Sequence, residues 1–164
     1  MGAWTTTSQV GSARAGKTEA KKDIVSIVTA HRLPYAATAS ISHWRDLMNK
    51  VRKALSKDGP TFMQVMAPCT RGWRFDSAKT VKISKLAVET RVFPLYEVED
   101  GVYKITVPVT SPKPVEEYLK AQGRYSHLFL QQNAAELETV KKDIEDNYKR
   151  LEKLSQLTSQ VYGP

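Results

Sequence analysis

The spacing of hydrophobic positions changes several times along the chain, and each change marks an element. Asp23 stands before Ile24, Val25, Ile27 and Val28. An N-cap residue followed by a short apolar run predicts a short helix that ends ahead of Pro34. Tyr35 to Ile41 (YAATASI) is small and β-tolerant and predicts a buried strand. Ser42 can cap the next segment. There Trp44, Leu47, Met48, Val51 and Leu55 recur at helical spacing, with Arg45, Lys50, Arg52 and Lys53 opposite. Asp58-Gly59-Pro60 ends that helix, and Thr61 to Met66 (TFMQVM) predicts a second apolar strand. Strand, helix and strand in this order predict a right-handed parallel βαβ unit. The loop that follows, Ala67 to Trp73, then falls at the carboxyl end of a parallel strand, where α/β folds place ligands.

Beyond it, an amphipathic helix is predicted with a cap at Asp76 or Ser77 and with Val81, Ile83, Leu86, Ala87 and Thr90 inward. Leu95–Val98 and Val102–Val107 alternate around Asp100-Gly101, a β-hairpin signal. Pro108, Pro112 and Pro114 mark a linker, and a short helix from Val115 to Ala121 ends at Gly123. From Asn133 to Leu157, Leu137, Val140, Ile144, Tyr148, Leu151 and Leu154 form one stripe, predicting a long helix laid across another surface. Residues 1–22 are small, polar and basic without periodicity and read as an extended arm. No amphipathic apolar face supports a transit peptide there. The expected division is the arm (1–22), an α/β region with a hairpin (23–107), and a Pro-rich linker with a helical extension (108–164).

A parallel pair with a peripheral hairpin is a poor stand-alone unit, because parallel strands are buried on both faces and need neighbours. The expectation is a part of a larger α/β domain whose remaining strands come from elsewhere. Composition agrees with a globular rather than disordered chain: 41% hydrophobic and 26% charged among 164 residues. No apolar run approaches a membrane span, and one cysteine excludes an internal disulfide framework. A reducing, cytoplasmic setting is expected.

The formal net charge of +8 is uneven. Residues 45–85 hold ten bases and three acids, whereas residues 115–164 hold seven bases and eight acids. The basic excess therefore flanks Cys69. A solvated surface explains such a stretch, and so does a docking face for an acidic partner or an anionic ligand. His31, His43 and His127 show no metal-ligand spacing with one another or with Cys69. No glycine-rich phosphate loop is present, and no catalytic residue is assigned. Cys69 follows Pro68 on the post-strand loop, with Arg71 and Arg74 close by. Positive charge favours thiolate, the nucleophilic and metal-binding form. One thiolate supplies one ligand of a site whose other ligands lie elsewhere. An iron–sulfur cubane takes four.

An ordered set of segments resembles the C-terminal half of the β subunit of the pyruvate:ferredoxin oxidoreductases, within the 2-oxoacid:ferredoxin oxidoreductase family. It runs from Gly2-Ala-Trp-Thr-Thr-Thr7 through Lys21-Lys22-Asp23, Ala30-His31-Arg32-Leu33-Pro34-Tyr35-Ala-Ala-Thr-Ala-Ser40 and Gly59-Pro60-Thr61. It continues through Ala67-Pro68-Cys69 with Gly72-Trp73, Leu86 to Thr90, Phe93 to Glu97, Tyr118-Leu119 and Gln122-Gly123-Arg124. The resemblance implies a partial thiamine-diphosphate-binding fold. In the complete enzyme it implies oxidative decarboxylation of a 2-oxoacid, with pyruvate favoured, and CoA to acyl-CoA and CO2. Electrons would pass through iron–sulfur clusters to ferredoxin. It makes Cys69 a ligand of a [4Fe-4S] cluster and places Thr5, Thr6 and Thr7 near the diphosphate of thiamine diphosphate and its Mg2+. The family's Gly-Asp-Gly signature and other cluster cysteines are not in these 164 residues. The expectation is a chain inactive alone, partnered by the N-terminal half of the subunit, by other oxidoreductase subunits and by ferredoxin.

Two other classes compete. The charge invites a nucleic-acid-binding module, but the bases are not interleaved with stacking aromatics and no nucleic-acid motif appears. No nucleic-acid and no membrane partner is therefore expected. A non-catalytic assembly fragment using the long helix is the remaining alternative.

Overall fold

The computed structural model describes residues 2–4, 17 and 19–162. Helix α1 (Ile24–Thr29) begins where the sequence places it, with the Asp23 carboxylate accepting from the Ser26 amide at 3.2 Å. Strand β1 (Tyr35–Ser40) leads into α2 (Trp44–Ser56), which returns the chain to β2 (Thr61–Met66). The strands β1 and β2 pair in parallel, Tyr35 opposite Thr61 through Ser40 opposite Met66. The predicted βαβ unit is present.

The hairpin is not peripheral. Strands β3 (Tyr96–Glu99) and β4 (Val102–Ile105) turn at Asp100 and Gly101, both at positive φ, the geometry of a two-residue turn matched to strand twist. β3 then pairs antiparallel with the free side of β1, Ala36 opposite Val98. The sheet is four-stranded, mixed, and ordered β2-β1-β3-β4. This corrects the expectation of a parallel pair with the hairpin at its periphery. Pairing is decided by register, which sequence alternation leaves open. All six residues of β1 are buried, and past Tyr35 their small side chains let helices approach closely from both faces.

One face of the sheet carries Ala36, Phe62, Tyr96, Val98, Tyr103 and Ile105 and packs on α1 and α6 (Ala134–Tyr162). Helix α6 follows the predicted stripe, with Val140, Tyr148 and Leu151 buried. Its Thr158 hydroxyl accepts from the Tyr103 amide at 2.9 Å, and its Arg150 meets Asp23 at 2.6 Å. A second cluster lies at the sheet's end, where α4 (Thr80–Glu89), α5 (Val115–Lys120) and Leu128 close around Leu95 and Phe93. Ile83, Leu86 and Ala87 of α4 and its capping Thr90 are buried as predicted, but Val81 is exposed. Part of the arm is anchored. Gly2, at φ 72°, packs against Leu128 and Val140, and its amide donates to the Lys17 carbonyl at 2.7 Å.

The other face is covered by α2, and here the sequence pattern misleads. Lys50, expected on the solvent side, is 1% exposed. Its amine donates to the Thr38 carbonyl at 2.8 Å, to Asp46 Oδ2 at 2.7 Å and to the Thr106 hydroxyl at 2.7 Å. Lys53 reaches buried Glu97 at 2.7 Å, and Lys57 reaches Glu99 at 2.8 Å. Glu97 also accepts from the Tyr35 hydroxyl at 2.9 Å. The polar side of α2 is therefore its packed side.

Two outcomes follow from these contacts. Lys50→Ala should cost about 3–5 kcal/mol in urea unfolding, the scale of removing one partner of a buried ion pair. Lys50→Arg should not restore the loss, because the cavity fits a compact amine. Hydrogen bonds from Lys57 to Glu99 and from Lys141 to Glu116 hold both carboxyls below the ordinary glutamate value of 4.5. The stability they contribute is present above that value and is lost as pH falls through the lower folded-state values. Urea midpoints should drop on acidification from pH 5 to 3, and the drop should shrink in Glu99→Gln with Glu116→Gln.

Candidate functional site

The loop after β2 is built by backbone hydrogen bonds around Cys69. Pro68 holds the chain extended, and Cys69 becomes the N-cap of the single-turn helix α3 (Thr70–Trp73) at φ −92°, ψ 110°. Its sulfur accepts from the Gly72 amide at 3.3 Å, and its carbonyl accepts from the Trp73 amide at 2.9 Å. A Cβ on residue 72 would stand 3.4 Å from Sγ, so glycine leaves the sulfur's flank clear. Arg74 then turns back in the left-handed region at φ 57°. The Cys69 side chain is solvent-exposed.

A second segment buttresses this loop. The Gly123 amide donates to the Arg74 carbonyl at 3.0 Å, and a Cβ at residue 123 would lie 2.8 Å from the Arg74 Cβ. Next to it, the Arg124 guanidinium lies 3.9 Å from the Trp73 ring centroid and donates to Gln122 Oε1 at 2.9 Å. It also reaches the Tyr118 hydroxyl at 3.3 Å. Burial pushes the Tyr118 hydroxyl up to about 12, so it stays protonated at neutral pH. The Arg124 carbonyl accepts from the Trp4 amide at 2.9 Å, and the Trp4 ring stacks on His127 with centroids 4.1 Å apart. Residues 2–4, 73–75 and 122–127 thus form one assembly beside the thiol.

Among the described residues, no three His, Cys, Asp or Glu side chains gather as a metal site. Cys69 fits one ligand position of a cluster, not a complete set: its sulfur is exposed, backed by an amide and unobstructed. His43 bonds the Ser42 hydroxyl at 2.9 Å, and burial holds its imidazole below the usual histidine range. His31 is exposed and His127 is stacked on Trp4. Thr5, Thr6 and Thr7 lie outside the described residues.

The basic excess is redistributed by folding. Of the ten bases in residues 45–85, Lys50, Lys53 and Lys57 face the sheet and pair with Asp46, Glu97, Glu99 and Asp100. Arg71, Arg74, Lys79 and Lys82, which follow Cys69 in sequence, are exposed. Sequence reasoning missed the amide behind the sulfur and the Arg124 buttress. The first had a signal, Cys-x-x-Gly immediately after a strand, which is the spacing from an N-cap to its N3 amide.

No family model matches the chain. Curated relatives do. It is 49% identical to pyruvate synthase subunit PorB of Thermotoga maritima over 158 residues, covering 96% of this chain and 49% of that protein. It is 49% identical to pyruvate synthase subunit PorB of Methanocaldococcus jannaschii, covering 90% of this chain and 48% of that one. Against ketoisovalerate oxidoreductase subunit VorB of Pyrococcus furiosus it is 43% identical, covering 95% of this chain and 50% of the relative. The chain spans about half the length of the curated relatives it matches. None of the helices among the described residues is long and apolar enough to cross a membrane.

The loop geometry sets a direct expectation. A thiol-specific reagent should label Cys69 in the native chain at a rate within about tenfold of the unfolded rate, as suits an accessible thiol. Slow labelling that urea accelerates by orders of magnitude would contradict the exposed placement.

Proposed function

The chain belongs to the family of the PorB and VorB subunits of 2-oxoacid:ferredoxin oxidoreductases, and from that premise we propose that it is the C-terminal portion of such a β subunit, contributing to oxidative decarboxylation of a 2-oxoacid. Pyruvate is the substrate this reading favours, because several relatives are named pyruvate synthase subunits. VorB relatives at 42–43% identity keep branched 2-oxoacids as the nearest competitor. CoA accepts the acyl group, and ferredoxin accepts the electrons.

The observation that carries the reading is Cys69, an exposed thiol at the carboxyl end of an edge strand, in a chain aligned with these subunits over nearly its whole length. The residues present suit one ligand of a [4Fe-4S] cluster, and the remaining ligands would come from outside this chain. Thiamine diphosphate, when bound with Mg2+, stabilises the carbanion formed on decarboxylation. What this chain does is narrower. Gly72 places its N–H on Sγ and fixes the sulfur's position. Arg124 and Gly123 hold the α3 turn so that the sulfur keeps its direction. Thr5, Thr6 and Thr7 are proposed on the diphosphate side. The exposed Arg71, Arg74, Lys79 and Lys82 suit an acidic electron acceptor such as ferredoxin. On this reading the chain has no oxidoreductase activity by itself.

The test is reconstitution with the other half of the subunit and its partner subunits. Iron content, visible absorbance and 2-oxoacid-dependent ferredoxin reduction are then measured. Cys69→Ala should lose one cluster per subunit. Unchanged iron and electron transfer in that variant would refute the ligand assignment. Lys79→Glu with Lys82→Glu should slow ferredoxin reduction at low ionic strength and matter less in high salt, because steering charges act on association. Equal rates at low salt would remove the docking role.

A further inference from the structure

Helix α6 crosses the sheet without closing on it everywhere. Between its inner stripe, the segment 91–94 and the sheet lies a half-open cavity of about 230 Å³. On this side β1 presents small residues, Ala36 and Thr38 among them, so the long helix bridges the strand instead of filling the space. Phe93, Ile144 and Leu151 give the cavity an apolar wall. Its charged lining is Lys21, Lys22, Arg91 and Arg150 against Asp23 and Asp143.

Most of these charges are already answered. Asp23 takes Arg150 at 2.6 Å, the Ser26 amide at 3.2 Å and the Tyr96 hydroxyl at 3.4 Å. The Arg91 guanidinium donates to the Val109 carbonyl at 2.6 Å and lies 4.1 Å from the Tyr148 ring centroid. Lys21 is different. Its side chain reaches solvent, but its amine lies 5.4 Å from the Phe93 ring centroid and makes no ion pair among the described residues. Burial and the Arg124 guanidinium lower its pKa, against a weaker opposing pull from Asp23. A cation partly removed from water beside a second cation is stabilised by an anion. On the sheet floor, the Gln64 carboxamide also has no hydrogen-bond partner among the described residues.

We propose that this cavity is a binding site for a small amphipathic carboxylate, with its carboxylate on Lys21 and its apolar body between Phe93 and α6. Occupancy requires neither an iron–sulfur cluster nor thiamine diphosphate. The volume sets the size. Pockets for drug-sized ligands start near about 300 Å³, so this one admits an acid of about six to twelve non-hydrogen atoms and is too small for a nucleotide. The lining sets the class. A phosphate dianion needs several donors at once, and Asp143, which no base answers among the described residues, repels it. A neutral ligand leaves Lys21 beside Arg124 uncompensated. A carboxylate is matched by one ammonium, and Phe93, Ile144 and Leu151 cover the rest of the molecule.

The test is a titration of the full chain, labelled with nitrogen-15, with phenylacetate, followed by amide chemical shifts. Saturable shifts confined to residues 21–26, 91–96 and 140–154 are expected, with a Kd at or below about 5 mM, the scale of a ligand of about ten non-hydrogen atoms. Phenylacetamide, equal in shape and uncharged, should bind at least about tenfold more weakly. Lys21→Met should weaken phenylacetate by at least about tenfold and leave phenylacetamide unchanged, which separates loss of the charge from loss of the fold. Ile144→Phe fills the apolar end and should weaken both. Arg52→Met, on α2 across the sheet, should alter neither. Urea midpoints of the variants identify any that fail to fold.

Three results overturn the proposal. Shifts that do not saturate by about 20 mM phenylacetate remove the site. Equal affinity for phenylacetate and phenylacetamide, or for phenylacetate with and without Lys21, removes the carboxylate recognition. Displacement of phenylacetate by inorganic phosphate at equal concentration replaces the carboxylate with a simple oxyanion site.

Discussion

The buried amine of Lys50 is the constraint that orders this molecule. Its three acceptors belong to β1, to α2 itself and to the residue just past β4. A cation removed from water is tolerated only where such acceptors surround it, and burial here lowers its pKa despite the Asp46 partner. Rotating α2 to bury its apolar stripe would strip the bonds to Thr38 and Thr106 and take Lys53 away from buried Glu97. The helix is therefore locked with its greasy side outward. The orientation of α2 and the order of β1, β3 and β4 are consequences of one interaction network.

That network explains what the sequence disclosed and what it concealed. Elements governed by local signals were legible: the Asp23 cap, the Asp100-Gly101 turn, the βαβ unit and the stripe of α6 all appear where residue chemistry places them. Long-range choices were not. Whether β3 joined β1 depended on pairing register, which the residues of two short strands leave open. The sense of α2 was hidden because its amphipathic pattern is strong and conventional. Only the three acidic residues at 97, 99 and 100, more than forty positions away, show which side is bonded. Val81 failed for a related reason: it lies on the outer flank of α4, where nothing among the described residues covers it.

The functional end of the molecule was half legible. Cys69 stood out as the lone thiol after a strand, and the structure leaves it exposed with the Gly72 amide on its sulfur. Its supporting residues did not stand out, because Gly123 and Arg124 act through the backbone of residue 74 and the face of Trp73. The charge count around Cys69 overstated the basic surface, since three of those lysines are spent on the inside of α2. The other seven bases of residues 45–85 are exposed, and four of them, Arg71, Arg74, Lys79 and Lys82, follow Cys69 closely in sequence.

The two margins of the sheet differ. At β4 a threonine hydroxyl from α6 satisfies a strand amide that would otherwise point outward, and the helix lies over that side. At β2 nothing equivalent occurs among the described residues. A sheet stoppered on one margin grows in one direction only. Such a chain can accept one neighbour and then presents no second margin of its own, so its association is self-limiting: pairs are allowed, and open-ended strand-to-strand fibres are not.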